Sequence, residues 1–315
     1  MLLFAPKELA VRLEKFAYVF GLSFVMVTFL SLAIIQDRSV PHKASASQAS
    51  KTMQSDSDSV IAGKELVFDD DFNGTTLNGS HWTTCYDWRL PTETGCTNGG
   101  NFEEEWYTSN QVAVQNGDLV ITAIKSPIDV SVQKQAKTFE YQSGMINTGS
   151  GSTNGTVKWA GAYGYYEARM KFQAGQGIWP AFWLLPINKQ WPPEIDAMEF
   201  IGNKPNQVLQ TVHWQDASGP EKSAAVISNA TDYSGGWHTY GVDWEPNRID
   251  WYIDGKLTRS YTGPNIPNTP MEIIINLAIG GLLPGSADKT TPFPNQLLVD
   301  FVRVYQTPSQ ARPHQ

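Results

Sequence analysis

Short apolar or alternating runs, separated by turn residues, fill the chain from Glu65 to Tyr305, and this pattern constrains the fold more than any other feature. No segment in this part of the chain keeps a helical period over three turns. Short alternating runs of this kind are typical of half-buried strands. The pair Asp254–Gly255, between IDWYI and KLTRSY, is a strong signal for a two-residue hairpin. The sequence therefore predicts an all-β domain over residues 63–308, built as a sandwich of two packed antiparallel sheets.

The N-terminal part has a different composition. Ala17–Ile35 is a run of 19 uncharged residues, which as a helix would span the hydrocarbon core of a bilayer. Basic residues precede this run and predict a cytoplasmic N-terminus and an exported body: Lys7, Arg12 and Lys15. We therefore expect residues 1–35 to hold a cytoplasmic tip and one transmembrane helix that anchors the protein in the membrane. The alternative is a cleaved signal peptide, with a cleavage region at 44–46 and a secreted or periplasmic product.

Two further segments are predicted to lack a packed core. Residues 36–62 are rich in Ser, Ala, Gln and Lys and read as a flexible linker, and residues 309–315 read as a disordered tail. Cys85 and Cys96 are the two cysteines of the chain. Since export would place them in an oxidising compartment, we expect a disulfide between them, with two free thiols as the alternative.

Composition excludes some classes of function. A net charge of −8 without a basic stripe argues against a nucleic-acid partner. Two cysteines are too few for a Cys-rich zinc site. The 11 Trp and 12 Tyr residues can stack on sugar rings, although they also fill sandwich cores. A sandwich of this size needs no second subunit, so we expect a monomer.

The acidic segment EIDAMEF, residues 194–200, raises a conflict for a regular strand. Side chains alternate between the two faces of a strand, so Glu194 and Asp196 share one face and Glu199 points to the other. That register would bury an unpaired Glu199 between the sheets, which costs several kcal/mol.

A β-bulge resolves the conflict. One inserted residue around Ala197–Met198 returns Glu199 to the face of the other two carboxylates, and it leaves Ile195 and Phe200 facing the core. Three carboxylates on one face repel one another, so they require a compensating role. From the strand alone, three interpretations stay open: the carboxyl pair of a retaining glycosidase, a calcium or other metal site, and a charged solvated strand.

Tryptophans and glycines stand in segments near the acidic strand. Trp179 and Trp183 in GIWPAFWLLP are four residues apart, so they share a face if the segment is a strand. Two indoles beside an acidic strand are typical of the walls of a sugar groove, with ordinary packing as the alternative. Gly280 and Gly281 in NLAIGG either let a ligand approach the backbone or mark a bend.

These residues resemble glycoside hydrolase family 16, the laminarinase-like β-jelly rolls of the concanavalin A-like kind. EIDAME is similar to the family signature of Glu, one residue, Asp, two residues and Glu, in its bulged form. The flanking segments stand in family order: GIWPAFWLLP before it, then HTYGVDWEPNRIDWYIDGK, NLAIGG and VDFVRVY after it. The resemblance covers Leu66–Tyr305 and implies a jelly-roll sandwich for that region.

The resemblance implies an endo-acting retaining glycoside hydrolase that needs no cofactor for catalysis. It makes Glu194 the nucleophile and Glu199 the general acid and then the base. Asp196 would hydrogen-bond Glu194 and help to keep the proton on Glu199. Six residues would contact the substrate: Trp179, Trp183, Asn101, Trp106, His213 and Trp214.

The resemblance also implies a structural calcium ion on the convex side of the sandwich. Its ligands would be the carboxylates of Asp71 and Asp300 and the backbone carbonyl of Gly117, since hard oxygen ligands suit calcium.

The implied substrate is a β-1,3-linked or mixed β-1,3/1,4-linked polysaccharide. GGNFEEEWY departs from the commoner laminarinase form and looks closest to bacterial endo-β-1,3(4)-glycanases. If Glu103, Glu104 and Glu105 of this segment face the groove, they would repel a strongly sulfated chain, which favours a neutral or lightly charged β-glucan. A transglycosylase with the same chemistry and a non-catalytic, lectin-like binding module are the rival functions.

Overall fold

The computed structural model describes residues 59–85, 97, 99–132, 135–151, 155–216, 219–230 and 232–311. The predicted transmembrane or signal segment, most of the predicted linker, and Cys96 with its predicted disulfide lie outside these ranges. Within them, no helix is both long enough and apolar enough to cross a bilayer.

The regular secondary structure of the described residues is almost entirely β-strand. Two short 3-10 helices are Gly99–Asn101 and Ser109–Gln111. The strands are β1 Glu65–Asp70, β2 Glu105–Tyr107, β3 Val112–Gln115, β4 Asp118–Ala123, β5 Ile128–Val132, β6 Gln135–Phe139, β7 Tyr141–Ser143, β8 Met145–Asn147, β9 Gly164–Phe172, β10 Ile178–Pro186, β11 Glu194–Phe200, β12 Gln207–Gln215, β13 Glu221–Asn229, β14 His238–Glu245, β15 Arg248–Ile253, β16 Lys256–Tyr261, β17 Met271–Ile279 and β18 Asn295–Gln306.

Two antiparallel sheets make up the domain. The first sheet has the order β16-β15-β14-β9-β18-β4-β3, and β1 also pairs with β18. The second sheet has the order β13-β12-β11-β10-β17-β8. Two small pairs, β2 with β7 and β5 with β6, lie outside the two sheets. The predicted all-β sandwich is confirmed.

A single large hydrophobic cluster is shared by both sheets. Phe182, Ile195 and Phe200 enter it from the second sheet, Tyr166 and Trp251 enter it from the first, and all five are fully buried. Complete burial of a large apolar side chain contributes about 1.5–3 kcal/mol. Because strand side chains alternate, filling this cluster from one face of β11 leaves the other face for polar residues.

Turn geometry fixes the register of the first sheet at the β15–β16 hairpin. Asp254 and Gly255 have φ values of 52° and 73°. Positive φ at both central residues is what a type I′ turn requires, so the hairpin prediction is confirmed. Near the C-terminus, within the segment predicted as a tail, the amide of Gln310 donates to Glu245 at 2.8 Å.

Candidate active site

The register of β11 contains the expected bulge. Asp196 pairs with Thr211 of β12 and Glu199 pairs with Leu209, so β11 advances three residues while β12 advances two. The pairing of β11 with β10 shifts at the same place. An extra residue of this kind changes the face to which the following side chain points. The predicted bulge is therefore confirmed, and Glu199 lies on the same side as Asp196.

Buried polar groups from the adjacent strand β12 and from the opposite sheet satisfy the backbone of the bulge. The indole N–H of Trp251 donates to the carbonyl of Asp196 at 2.8 Å. The amide of Gln210 donates to the carbonyl of Ala197 at 3.4 Å, and its own oxygen accepts from Thr258 at 2.7 Å. A buried carbonyl without a partner would be costly, so these contacts stabilise the irregular strand.

The three carboxylates of β11 line a cleft. Asp196 is 2 % exposed, and Glu194 and Glu199 are half-buried at its two sides. The cleft is lined by Asn101, Glu103, Trp179, Ala181, Trp183, Glu194, Asp196, Glu199 and Asn276. The structure therefore brings together all three predicted catalytic residues and four of the six predicted substrate-binding residues: Asn101, Trp179 and Trp183 line the cleft, and His213 lies against Asp196.

A histidine connects two carboxylates at the Glu194 end of the cleft. Nε2 of His213 lies 3.2 Å from Oδ2 of Asp196, and its Nδ1 lies 2.8 Å from Oε1 of Glu221. Burial alone would lower the pKa of His213, but Asp196, Glu194 and Glu221 raise it to about 10. The imidazole is therefore a cation at neutral pH, held between two carboxylates.

Trp191 lies at the same end of the cleft and contacts Glu194 and His213. Its indole N–H donates to Oε2 of Glu194 at 2.5 Å, and its ring centroid lies 6.1 Å from that of His213. Charge-assisted hydrogen bonds from an indole N–H favour the ionised form of a carboxyl group. Neither Trp191 nor Glu221 was identified from the sequence.

The pKa values of the three carboxyl groups are raised, mainly by burial. Burial, and then the neighbouring Asp196, raise the pKa of Glu194 well above its usual range, while His213 and Trp191 oppose the rise. Burial and Glu199 raise the pKa of Asp196 to about 6. Burial and Glu194 raise the pKa of Glu199 to about 7. Protons are therefore retained in this cluster near neutral pH, and Glu199 suits a general acid.

A chain of hydrogen bonds holds the opposite wall of the cleft. The indole N–H of Trp183 donates to Asn276 at 2.8 Å, and the amide of Asn276 donates to the hydroxyl of Tyr107 at 2.9 Å. Tyr107 in turn donates to Glu103 at 2.9 Å, and Asn101 donates to the same carboxyl group at 3.3 Å. The walls are thus fixed by contacts between segments far apart in sequence, which sequence reasoning missed.

Two of the predicted substrate-binding tryptophans lie elsewhere. Trp106 is fully buried in a separate cluster with Val130 and Phe139, because alternation along β2 sends it to the side opposite Tyr107. Trp214 packs against the core between the sheets, with its ring 5.4 Å from Tyr261. Strand alternation likewise separates it from its neighbour His213. The predictions for these two residues are wrong.

The cluster that retains protons also has the donor atoms of a metal site. One ligand atom from each of Glu194, Asp196 and His213 lies within 4.8 Å of the others. A cation at this position would have to displace the proton on His213, whose pKa is about 10. The donor set therefore favours proton chemistry over metal binding at neutral pH.

The residues of the predicted calcium site lie in an oxygen-rich region. Asp71 follows β1, Gly117 lies in the β3–β4 turn, and Asp300 lies in β18. A Cβ on Gly117 would lie 3.8 Å from Oδ1 of Asn73, so the segment after β1 approaches the turn. Burial, followed by the charge of Asp300, raises the pKa of Asp118.

Both carboxylates of that region also bind arginine. Asp71 accepts from Arg303 at 2.7 Å, and Asp300 accepts from Arg169 at 2.6 Å. Each pair leaves carboxylate oxygens, the hard ligands that calcium prefers, while the two arginines offset part of the negative charge that would attract the ion.

The fold and the cleft together define a class, an all-β sandwich with three carboxyl groups on one bulged strand. The model of glycosyl hydrolases family 16 matches residues 99–301. The chain therefore belongs to glycosyl hydrolase family 16, and the resemblance read from the sequence is confirmed.

Curated relatives agree with this assignment. Endo-1,3-1,4-beta-glycanase EglC of Rhizobium meliloti is 37% identical over 251 residues, which cover 76% of this chain and 51% of that protein. Glucan endo-1,3-beta-glucosidase A1 of Niallia circulans is 32% identical over 305 residues, covering 88% of this chain and 43% of that protein. The chain thus spans about half the length of the curated relatives it matches.

Solved structures show the same fold. The catalytic domain of an endo-1,3-beta-glucanase (laminarinase) from Thermotoga petrophila has a TM-score of 0.64 at 30% identity, over 78% of this chain and 98% of that one. The endo-beta-1,3-glucanase from Pyrococcus furiosus has a TM-score of 0.63 at 34% identity, over 77% and 94%. Both structures are similar to this chain over most of its β-sandwich.

Proposed function

We propose that the protein is an endo-acting, retaining glycoside hydrolase that cleaves β-1,3-linked or mixed β-1,3/1,4-linked glucan. The observation that carries this proposal is the placement of Glu194, Asp196 and Glu199 on one face of a bulged strand at the floor of a cleft. Retaining hydrolysis requires two carboxyl groups that flank the scissile bond, with the nucleophile on one side of the anomeric carbon and the acid on the side of the leaving oxygen.

In the first step, Glu194 attacks the anomeric carbon and the glycosidic C–O bond breaks. Glu199 gives its proton to the leaving oxygen, so the leaving sugar departs as a neutral alcohol. The positive charge of His213 and the N–H of Trp191 favour the ionised form of Glu194, which the attack requires. The pKa of Glu199, about 7, keeps its proton available at mildly acidic pH.

In the second step, water replaces the leaving sugar. Glu199, now ionised, takes a proton from that water as it attacks the anomeric carbon, and the bond to Glu194 breaks. Two inversions at one carbon retain its configuration. Asp196 lies between the two glutamates, whose charges change during the two steps. The imidazolium of His213 lies next to Asp196 and balances the negative charge there.

The charge of the cleft supports a neutral substrate. Glu103 adds a fourth carboxyl group to the three of β11, whereas Glu105 is fully buried and Glu104 accepts from the backbone of Ala287 at 3.2 Å. A strongly anionic polysaccharide would be repelled by this cleft. The printed names of the relatives, endo-1,3-1,4-beta-glycanase and glucan endo-1,3-beta-glucosidase, support a β-glucan.

The experiment is to incubate the protein with laminarin, mixed-linkage β-glucan, agarose and succinoglycan. New reducing ends are quantified, product lengths are determined, and the configuration of the first product is followed by NMR. We expect rapid release of oligosaccharides of retained configuration from a β-1,3-containing glucan, and loss of this activity in Glu194→Gln. Glu140→Gln, at an exposed glutamate outside the cleft, is the matched control.

The same experiment distinguishes the rival functions. Products longer than the starting polysaccharide would identify a transglycosylase, in which a sugar hydroxyl takes the place of water. Binding of a glucan without any new reducing ends would identify a lectin-like module and contradict hydrolysis.

We also propose that the domain acts outside the cytoplasm as a monomer, anchored through residues 17–35 or released by cleavage near 44–46. The apolar run and the basic residues before it support this. Fractionation of cells that express the full chain, followed by mass determination of the product, would distinguish an anchored protein from a shortened secreted one. Light scattering of the released domain would measure its oligomeric state.

A structural calcium ion is a further proposal. Asp71, Asp300 and the carbonyl of Gly117 would hold it and would link β1, the β3–β4 turn and β18. Addition of CaCl2 after treatment with EDTA should raise the melting temperature, and Asp71→Asn should remove that increase. An unchanged melting temperature would contradict the site.

A further inference from the structure

An exposed apolar patch lies at the edge of the cleft. It consists of Phe102, Leu282 and Leu283, which we call the rim patch. Phe102 is 71% exposed, Leu282 is 66% exposed and Leu283 is 40% exposed. Single exposed apolar residues are common on protein surfaces, but neighbouring ones form a surface suited to binding.

Backbone contacts join the rim patch to the wall of the cleft. The N–H of Leu282 donates to the carbonyl of Asn101 at 3.0 Å, so the loop that carries Leu282 is joined to the residue that precedes Phe102. A Cβ on Gly281 would lie 2.9 Å from Cζ3 of Trp179 and 3.0 Å from the carbonyl of Asn101. The ring of Trp179 therefore packs against the backbone that carries the patch. Since Asn101 and Trp179 line the cleft, the patch continues its wall.

The structure gives Phe102 no evident role in folding. Its φ of 58° lies in the left-handed region, which favours glycine and asparagine over an aromatic residue. The ring is mostly exposed, so packing does not offset this unfavourable conformation. A strained residue beside a cleft is a reason to look for a functional role.

We propose that Phe102, with Leu282 beside it, forms an outer sugar-binding subsite on the Trp179 side of the cleft. The aromatic ring would stack on the apolar C–H face of a pyranose ring that lies beyond the residues at the scissile bond. This inference rests on the proposed function, and it adds that the enzyme recognises long, uncharged β-glucan chains. A sugar chain is favoured over a protein partner because the patch is continuous with the cleft that the substrate occupies.

The test uses Phe102→Gly, which removes the ring and also removes the unfavourable backbone conformation. For a β-1,3-glucan octasaccharide, we expect kcat/KM to fall about tenfold, through KM, because the apolar contact is lost. For the tetrasaccharide, which is too short to reach the subsite, kcat/KM should stay unchanged. The melting temperature should stay the same or rise, since glycine adopts this φ without strain. Phe102→Tyr should keep the octasaccharide preference.

Leu257→Ala is the matched control, since Leu257 is 56% exposed on β16 of the first sheet. It should leave kcat/KM unchanged for both substrates. The subsite proposal would be overturned if Phe102→Gly lowered kcat/KM equally for both substrates or for neither. A lowered melting temperature in this variant would also overturn it. Dissociation of a dimer in Phe102→Gly would instead make the patch a self-association surface.

Binding measured by calorimetry separates this proposal from the proposed hydrolysis. In the Glu199→Gln background, octasaccharide affinity should fall about tenfold on adding Phe102→Gly, whether or not the wild-type protein cleaves the sugar. Wild-type protein that cleaves no glucan would overturn the hydrolase, whereas equal octasaccharide affinity in both variants would overturn the subsite.

Discussion

The two ends of β11 carry the same side chain, glutamate, in different surroundings. Glu194 receives the N–H of Trp191 and lies in the cluster with Asp196 and the imidazolium of His213. Glu199 lies at the Trp179 end, and burial and Glu194 raise its pKa to about 7. Burial raises the pKa of both carboxyl groups, so the hydrogen bond from Trp191 and the nearby charge of His213, which favour an ionised Glu194, distinguish the nucleophile from the acid.

The largest expected effect distinguishes the roles of the two glutamates by comparing substrates with a poor and a good leaving group. Glu194→Gln should lower kcat on β-glucan by about 10⁴-fold or more, and it should also abolish reaction with an activated aryl β-glycoside. Glu199→Gln should lower kcat on glucan by about 10³-fold, because it lacks the acid. It should still release the aryl group in a rapid burst, because that leaving group needs no proton. Stopped-flow absorbance measures the burst.

Reversed behaviour would contradict the assignment of the two ends. If Glu194→Gln gave the burst and Glu199→Gln did not, Glu199 would be the nucleophile.

Removal of the imidazolium should have the next largest effect. The charge of His213 lowers the pKa of Glu194, Asp196 and Glu199, so His213→Gln should raise all three. Because Glu194 must be ionised to attack, the acidic limb of the kcat/KM profile should move to higher pH, and kcat/KM at pH 6 should fall about 10²-fold. An acidic limb that stays in place would show that His213 does not support Glu194.

Glu221→Gln should produce a smaller change in the same direction. Gln can still accept a hydrogen bond from Nδ1 of His213, but the loss of charge lowers the pKa of that imidazole. We expect kcat/KM to fall about threefold and the NMR titration of His213 to shift downward. Ser223→Ala, at the β13 residue that pairs with His213, is the control and should leave both unchanged. An unshifted titration in Glu221→Gln would assign Glu221 a purely structural role.

The smallest effect concerns stability. Below its usual pKa of 4.5, Glu199 is mostly neutral in both the folded and the unfolded states. Between pH 4.5 and about 7, Glu199 is ionised mainly in the unfolded chain, so the folded state loses stability as the pH rises. Glu199→Gln lacks this penalty, so at pH 8 its free energy of unfolding should exceed that of the wild type by about 1 kcal/mol after allowance for partial exposure. Urea unfolding at pH 4 and pH 8 measures the difference, and an equal difference at both pH values would contradict the raised pKa.

The sequence was sufficient to predict the sandwich and the bulge. Glu199 between apolar neighbours could not remain on the core face, and Ile195 and Phe200 could not leave it, so only one register satisfied both. The positions of Trp179 and Trp183 on one face followed from the same alternation. Alternation also separates Trp214 from His213, and applying it to β12 would have excluded Trp214.

The remaining features of the site depend on contacts between distant segments. Tyr107 meets Asn276, 169 residues away, and Trp251 reaches the bulge from the opposite sheet. No spacing in the sequence encodes such pairs, because they follow from how the sheets pack. Trp106 was misplaced because β2 has only three residues, too few for alternation to show which face is buried.

The central claim is that Glu194 becomes covalently attached to the sugar. The most direct measurement is mass spectrometry of Glu199→Gln after reaction with an activated aryl β-glycoside, followed by proteolysis. Because this variant lacks the base of the second step, the intermediate should accumulate, and the peptide that contains Glu194 should gain the mass of one glycosyl unit. A glycosyl group on another residue, or inverted product without any adduct, would contradict the account.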